Sequence, residues 1–158
     1  MSAERVENAR PRRTSGAGKA VNGDYRLEDQ VGFAIRKASQ RHTLIFSKMM
    51  IGDLTSTQWA ALVKAAELGP VSQNQLGRET AMDVATIKGV VDRLVKRGLV
   101  ATADDPGDGR RSVITLTPGG ALLVVRAKPI ASAITAETLS GLSAVEQRTL
   151  IDLLRKIA

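Results

Sequence analysis

VSQNQLGRETAMDVATIKGVVDRLVKRGLVATADDPGDGRRSVITLT, residues Val71–Thr117, is the stretch around which the chain is organised. Ser72-Gln73-Asn74-Gln75 has the pattern of a capping box, in which a hydroxyl and a glutamine side chain satisfy free N–H groups at a helix start. It predicts a short helix ending near Glu79. Ala81-Met82-Asp83 reads as a turn, with Asp83 as the cap of a helix from Val84 to Arg97 closed by Gly98. The apolar positions Val84, Ile87, Val90, Val91, Leu94 and Val95 predict one core-facing stripe. Thr86, Lys88, Gly89, Asp92, Arg93 and Lys96 take the other side. Leu99–Ala103 reads as a strand, Asp104–Gly109 as dense turn chemistry and Ser112–Leu116 as the return strand.

On the N-terminal side, Tyr25 to about Met50 repeats Leu27, Val31, Ala34, Ile35, Ala38, Ile45, Phe46 and Met49 at helical spacing. At 3.6 residues per turn this predicts one helix of roughly seven turns. Such a helix exceeds the core of one small domain, so part of it is expected to pack on a partner chain. Thr55-Ser56-Thr57-Gln58 is another capping box, opening a helix through Trp59 to Leu68 that Gly69-Pro70 stops. Thr117-Pro118 starts a helix carrying Leu122, Leu123, Val125 and Ile130, expected to kink or break near Pro129. A third box, Ser143-Ala144-Val145-Glu146, opens a last helix with Leu150, Leu153, Leu154 and Ile157. Residues 1–23 have almost no large apolar side chain and read as a disordered basic arm. That arm is either a solubilising tail or a contact to phosphates.

Charge alone argues weakly. The net charge of +7 suggests a polyanionic partner. Residues 71–111, however, carry seven Arg or Lys against six acids, so the placement of charge matters more than its sum. The absence of cysteine excludes disulfides and thiolate chemistry, and a single histidine, His42, argues against a protein-only zinc site. No cofactor is expected. No signal core or uninterrupted apolar run of roughly 18 residues is evident, which predicts a cytoplasmic protein without a membrane partner.

Helix, turn, helix is the plan in which the second helix enters the major groove of DNA. Base edges are read by donors and acceptors near its N-terminal half, where Thr86 and Lys88 stand. Arg93 and Lys96 suit phosphates, and Gly89 leaves room for close backbone approach. Ser72 and Gln73 are further candidate contacts at the start of the preceding helix. A solvated amphipathic helix would look the same, so the hairpin decides the matter. Gly107-Asp108-Gly109-Arg110-Arg111 puts two guanidiniums on a glycine-flanked tip. Such a tip can reach a neighbouring minor groove, whose narrow form attracts arginine. Asp108 is expected to hydrogen-bond Arg110 and orient it. The competing reading is a surface turn with a local ion pair worth at most about 1 kcal/mol.

Leu54-Thr55 with Gln58-Trp59, Thr86-Ile87-Lys88-Gly89 through Asp92-Arg93-Leu94 to Arg97-Gly98-Leu99-Val100, and Asp108-Gly109-Arg110-Arg111 to Leu116-Thr117-Pro118 resemble the MarR family of winged-helix regulators. The resemblance spans roughly residues 27–157. It implies a mainly α fold with a small β-hairpin wing. The winged helix-turn-helix region would cover 54–117, between dimerisation helices at 24–53 and 118–158. It also implies a homodimer on a palindromic operator in double-stranded DNA, with Arg110 as the minor-groove arginine of the family's Asp-x-Arg wing motif and Asp108 as its partner. The family's redox branch uses a cysteine and its metal branch several ligands; this chain has neither set.

Sensing of a small organic ligand remains. The resemblance places a pocket where the first helix, the Trp59 helix and the helix after Pro118 meet, and there Phe33, Arg36, His42, Phe46 and Trp59 are the candidates. An aromatic wall with a cation suits a planar anion, an aromatic acid or its acyl-CoA thioester. Arg36, Lys37, Arg41 and Lys48 also suit CoA phosphates. Plain core packing of the aromatics competes with this reading, as does a satisfied histidine at 42. The expectation is a repressor of a catabolic or efflux operon released by such an acid; the alternative is a winged-helix regulator without a small-molecule input. No nucleophile–base arrangement, P-loop or dinucleotide fingerprint points to an enzyme.

Overall fold

The computed structural model describes residues 25–105 and 108–158, with the backbone alone at 105 and 108–111. The arm expected over residues 1–23 lies outside the described residues.

Leu27–Asp29 makes one 3₁₀ turn, and Gln30, extended at φ −87° and ψ 127°, separates it from α1 (Val31–Met49). The long helix expected from Tyr25 therefore starts only at Val31. The Gln30 amide donates to the Arg26 carbonyl at 3.1 Å and closes the preceding turn locally. Apolar spacing cannot reveal this, because Leu27 and Val31 keep the helical interval across the break.

Thr55 caps α2 (Ser56–Leu68) through a full box: its hydroxyl accepts from the Gln58 backbone N–H at 3.2 Å, and the Gln58 side-chain oxygen Oε1 accepts from the Thr55 N–H at 3.0 Å. Gly69, at φ 72°, ends the helix. A two-residue strand, β1 (Val71–Ser72), follows. It is too short to show alternation and is recognised only through its distant partner. Ser72 also caps α3 (Gln73–Glu79), accepting from the Gln75 N–H at 3.3 Å without the full box present at Thr55. Ala81, at φ 52°, turns the chain into α4 (Val84–Lys96).

Ile87, Val90, Val91 and Leu94 form the buried stripe of α4. Val84 and Val95, expected in that stripe, are 68% and 38% exposed. They stand about 70–90° around the helix from its centre. β2 (Val100–Asp105) and β3 (Asp108–Leu116) form the hairpin, with pairing carried further toward the tip than the turn-forming residues suggest. The sheet order is β1-β3-β2, with Val71 opposite Ile114 and Val100 opposite Leu116.

Thr117 caps α5 (Pro118–Thr138) by accepting from the Gly120 N–H at 3.0 Å. The break expected at Pro129 does not occur; the helix runs through it. Proline removes the N–H that would bond the Val125 carbonyl. Both residues are exposed, where water can replace that bond. By length and composition α5 also meets the requirement for a membrane-crossing helix. Arg126 and Lys128 interrupt its apolar run, so no uninterrupted span of that length is present in it. In the fold α5 packs on α1, α2 and β3, burying Gly120, Val124, Ala127 and Ile134.

The main core gathers Leu62 of α2, Leu76 of α3, and Ile87 and Leu94 of α4, closed by Val71, Val100 and Ile114 from the sheet and Val124 from α5. Phe46, Ala127 and Ile134 are buried where α1 meets α5. The last helix, α6 (Ala144–Ile157), has the full capping box at Ser143 and Glu146 but no buried residue. Val145, Leu153, Leu154 and Ile157 remain exposed on it, as do Val31 and Ile35 on α1.

Candidate functional site

The exposed side of α4 is set by its cap. Asp83 accepts from the Thr86 N–H at 2.8 Å and from the Thr86 hydroxyl at 2.7 Å. The two bonds, the hydroxyl one first, hold the Asp83 carboxyl below the usual aspartate value. They also commit the single hydrogen of Thr86, so toward a base Thr86 can only accept. Its natural complements are the amino groups of cytosine and adenine in the major groove. Val84, beside it in the first turn, is the exposed apolar side chain that the expected stripe had turned inward; its chemistry suits a thymine methyl.

Along the same face, Lys88 pairs with Asp92 at 2.9 Å, both side chains more than half exposed. An exposed pair of this kind is worth well under about 1 kcal/mol and is readily exchanged for a phosphate. Gly89 lies against Arg93: a Cβ at Gly89 would stand 3.5 Å from the guanidinium. Arg93, Lys96 and Arg97 line an open groove of about 460 Å³ with Asp53 and Gln58. Arg97 is itself held by the Gly52 carbonyl, the Asp53 carbonyl at 3.2 Å and the Gln58 side chain at 3.5 Å. It acts as a brace between α4 and the α1–α2 loop, leaving Arg93 and Lys96 as the cations facing outward.

Ser72 and Gln73 line a second open groove, about 500 Å³, with Asn74, Arg78 and Ser112. It lies between the start of α3 and the wing. Asn74, Arg78 and Ser112 were not singled out in the sequence; the exposed Arg78 in the last turn of α3 was the available signal. In the wing, Asp104 pairs with Ser112 while Asp105 pairs with Asp108, so the register shifts there. Arg110 and Arg111 fall within that irregularity. The side chains of Asp108, Arg110 and Arg111, and with them the expected Asp108–Arg110 bond, lie outside the described residues.

The five effector candidates divide by position. His42 and Phe46 stand together on α1, ring centroids 6.0 Å apart and tilted by 54°, at the contact with α5. His42 Nδ1 lies 3.0 Å from the Thr138 hydroxyl oxygen. Trp59 of α2 is half-buried against the main core. Phe33 is half-buried with the Lys37 ammonium 5.6 Å from its ring centre. Phe33 and His42, nine positions apart in the chain, stand about 13 Å apart along the axis and about half a turn around it. Within one protomer a single-ring ligand cannot touch both. Arg36 is exposed, about a third of a turn from His42.

The sequence profile described as the MarR family matches residues 52–111. The chain is 42% identical over 137 residues to the transcriptional repressor NicR of Pseudomonas putida, covering 86% of this chain and 87% of that protein. It is similar to a structure of Bordetella bronchiseptica BpsR, reported for the regulation of that protein's DNA binding by 6-hydroxynicotinic acid. The TM-score is 0.82 and the identity 39%, over 85% of this chain and 97% of that one. A mutant of Escherichia coli MarR complexed with operator DNA matches with TM-score 0.74 and 25% identity, over 80% and 91% of the two chains. The exposed recognition helix, the adjoining wing and these similarities lead to one conclusion: this chain belongs to the MarR family of winged helix-turn-helix transcriptional regulators and is a repressor of that type.

Proposed function

We propose that the chain works as a homodimer on a palindromic operator, with each α4 in a major groove and each wing tip in a flanking minor groove, and that a small aromatic acid releases it. The observation that carries the DNA side is the exposed face of α4, where Thr86, Lys88, Arg93 and Lys96 stand clear of the core beside the hairpin. Specific readout near the helix start and phosphate contacts toward its end is the division of labour such a helix needs.

Self-association is supported by apolar side chains that the protomer leaves uncovered. Leu27, Val31 and Ile35 near the N-terminal end, and Val145, Leu153, Leu154 and Ile157 on α6, are all exposed. Exposed apolar side chains concentrated on two helices in this way suit a self-association surface.

The effector reading rests on His42 and Phe46 at the α1–α5 contact and on Trp59, half-buried on α2, with Phe33 and Arg36 on other faces of α1, where a ligand held between two copies would meet them. The 6-hydroxynicotinic acid that regulates BpsR supports an aromatic carboxylate or its CoA thioester as the class. A ligand that favours one spacing of the two α4 helices shifts affinity only by its preference between the two states. The test is fluorescence anisotropy of DNA from upstream of the protein's own gene, titrated with the full chain and then with 6-hydroxynicotinic acid and other aromatic acids. Release by one of these acids is expected. A complex unaffected by any of them, with no thermal shift of the free protein, favours a regulator without a small-molecule input.

A further inference from the structure

The Thr138 hydroxyl, in the last turn of α5, has one hydrogen and uses it: it donates to the Ile134 carbonyl at 2.8 Å. His42 Nδ1 lies 3.0 Å from the same oxygen. With that hydrogen on the Ile134 carbonyl the oxygen accepts from the imidazole, and the neutral ring then carries its proton on Nδ1. In water a free imidazole side chain favours the proton on Nε2; here the α1–α5 contact selects the other form. Among the described residues no protein group bonds Nε2, and no buried side-chain polar atom lacks a partner, so Nε2 opens to solvent. The imidazole as a whole stands beside the Phe46 ring, centroids 6.0 Å apart. In this form the solvent-open ring nitrogen is a bare acceptor.

We infer that Thr138 sets the effector specificity of this site by holding His42 in its Nδ1–H form. The site then takes aromatic acids that present an O–H or N–H donor to Nε2 and discriminates against those that present only acceptors. This rests on His42 lying in the effector site. A phenol, or a hydroxypyridine in either its O–H or its ring N–H form, supplies such a donor. An unsubstituted pyridine carboxylate offers a lone pair to a lone pair. Thr138 is a positioning residue: it acts through His42 and not on the ligand itself.

The chain contains one histidine, so imidazole ¹⁵N spectra report His42 alone. They are recorded on the full ligand-free chain in mildly alkaline buffer. The wild type is expected to show a protonated Nδ1 and an unprotonated Nε2. Thr138→Val removes the acceptor and should move the proton to Nε2; Thr138→Ser should retain the wild-type spectrum. A wild type protonated on Nε2, or a Thr138→Val spectrum identical to wild type, overturns the role of Thr138.

The second arm compares 6-hydroxynicotinic acid with nicotinic acid by calorimetry. The preference for the hydroxylated acid should fall about tenfold in Thr138→Val, the scale of one hydrogen bond turned from donor–acceptor to donor–donor. An unchanged preference overturns the specificity claim. If neither acid binds the wild type, the effector reading fails on its own, and the spectra still decide the tautomer.

Discussion

Gly120, in the first turn of α5, is packed onto the Leu99 carbonyl at the entry to β2: a Cβ there would overlap the oxygen and stand 2.9 Å from the carbon. The Thr117 N–H bonds the same carbonyl at 3.2 Å. The start of α5 is thus locked to the base of the wing. Backbone cannot swing aside as a flexible side chain can, so Gly120→Ala is expected to cost about 1–3 kcal/mol in urea unfolding. A variant as stable as wild type would mean that this contact is loose. DNA affinity should fall with stability, because the wing and α5 share the anchor.

Arg97 makes a different prediction. Its guanidinium reaches the Gly52 and Asp53 carbonyls and the Gln58 side chain from one end of α4, and those carbonyls belong to a loop in which Gly52 and Asp53 both have positive φ. Arg97→Ala removes charged hydrogen bonds and is expected to destabilise by about 1–2 kcal/mol. Arg97→Lys should not restore it, since one ammonium cannot span three acceptors in a plane. Full recovery in the lysine variant would assign Arg97 a plain charge role.

The α4 cap carries a pH signature. Asp83 is held below the ordinary aspartate value by the Thr86 hydroxyl and then by its N–H. A carboxyl depressed in the folded state stabilises fully above its unfolded value, and the benefit is lost as pH falls through the folded value. Unfolding midpoints should therefore decline below about pH 4. Asp83→Asn keeps an acceptor for the cap but cannot titrate, so its decline should be shallower. Glu146 at the start of α6, lowered by the Ser143 hydroxyl and N–H, contributes in the same direction and persists in that variant. Parallel pH profiles for wild type and Asp83→Asn would contradict the assignment.

What could be read from the sequence was what is local. Thr55, Ser72, Asp83, Thr117 and Ser143 each satisfy an N–H three residues on, and so their helices start where residue type predicts. The errors arise where the deciding partner is distant or faces water. β1 exists because Val71 pairs with Ile114. Val84 has the spacing of a core residue but lies at the edge of the stripe and stays exposed at the start of α4. At the proposed effector site, His42 stands out as the lone histidine; its partner Thr138, 96 residues away, does not.

Whether α4 and the wing together hold DNA is decided by anisotropy of duplex DNA from upstream of the protein's own gene, with wild type and Arg110→Ala titrated in parallel at several salt concentrations. The wild type should bind saturably, with affinity falling steeply as salt rises. Arg110→Ala should bind about 10- to 100-fold more weakly while remaining folded. An Arg110→Ala curve that overlies the wild type at every salt concentration would contradict the account.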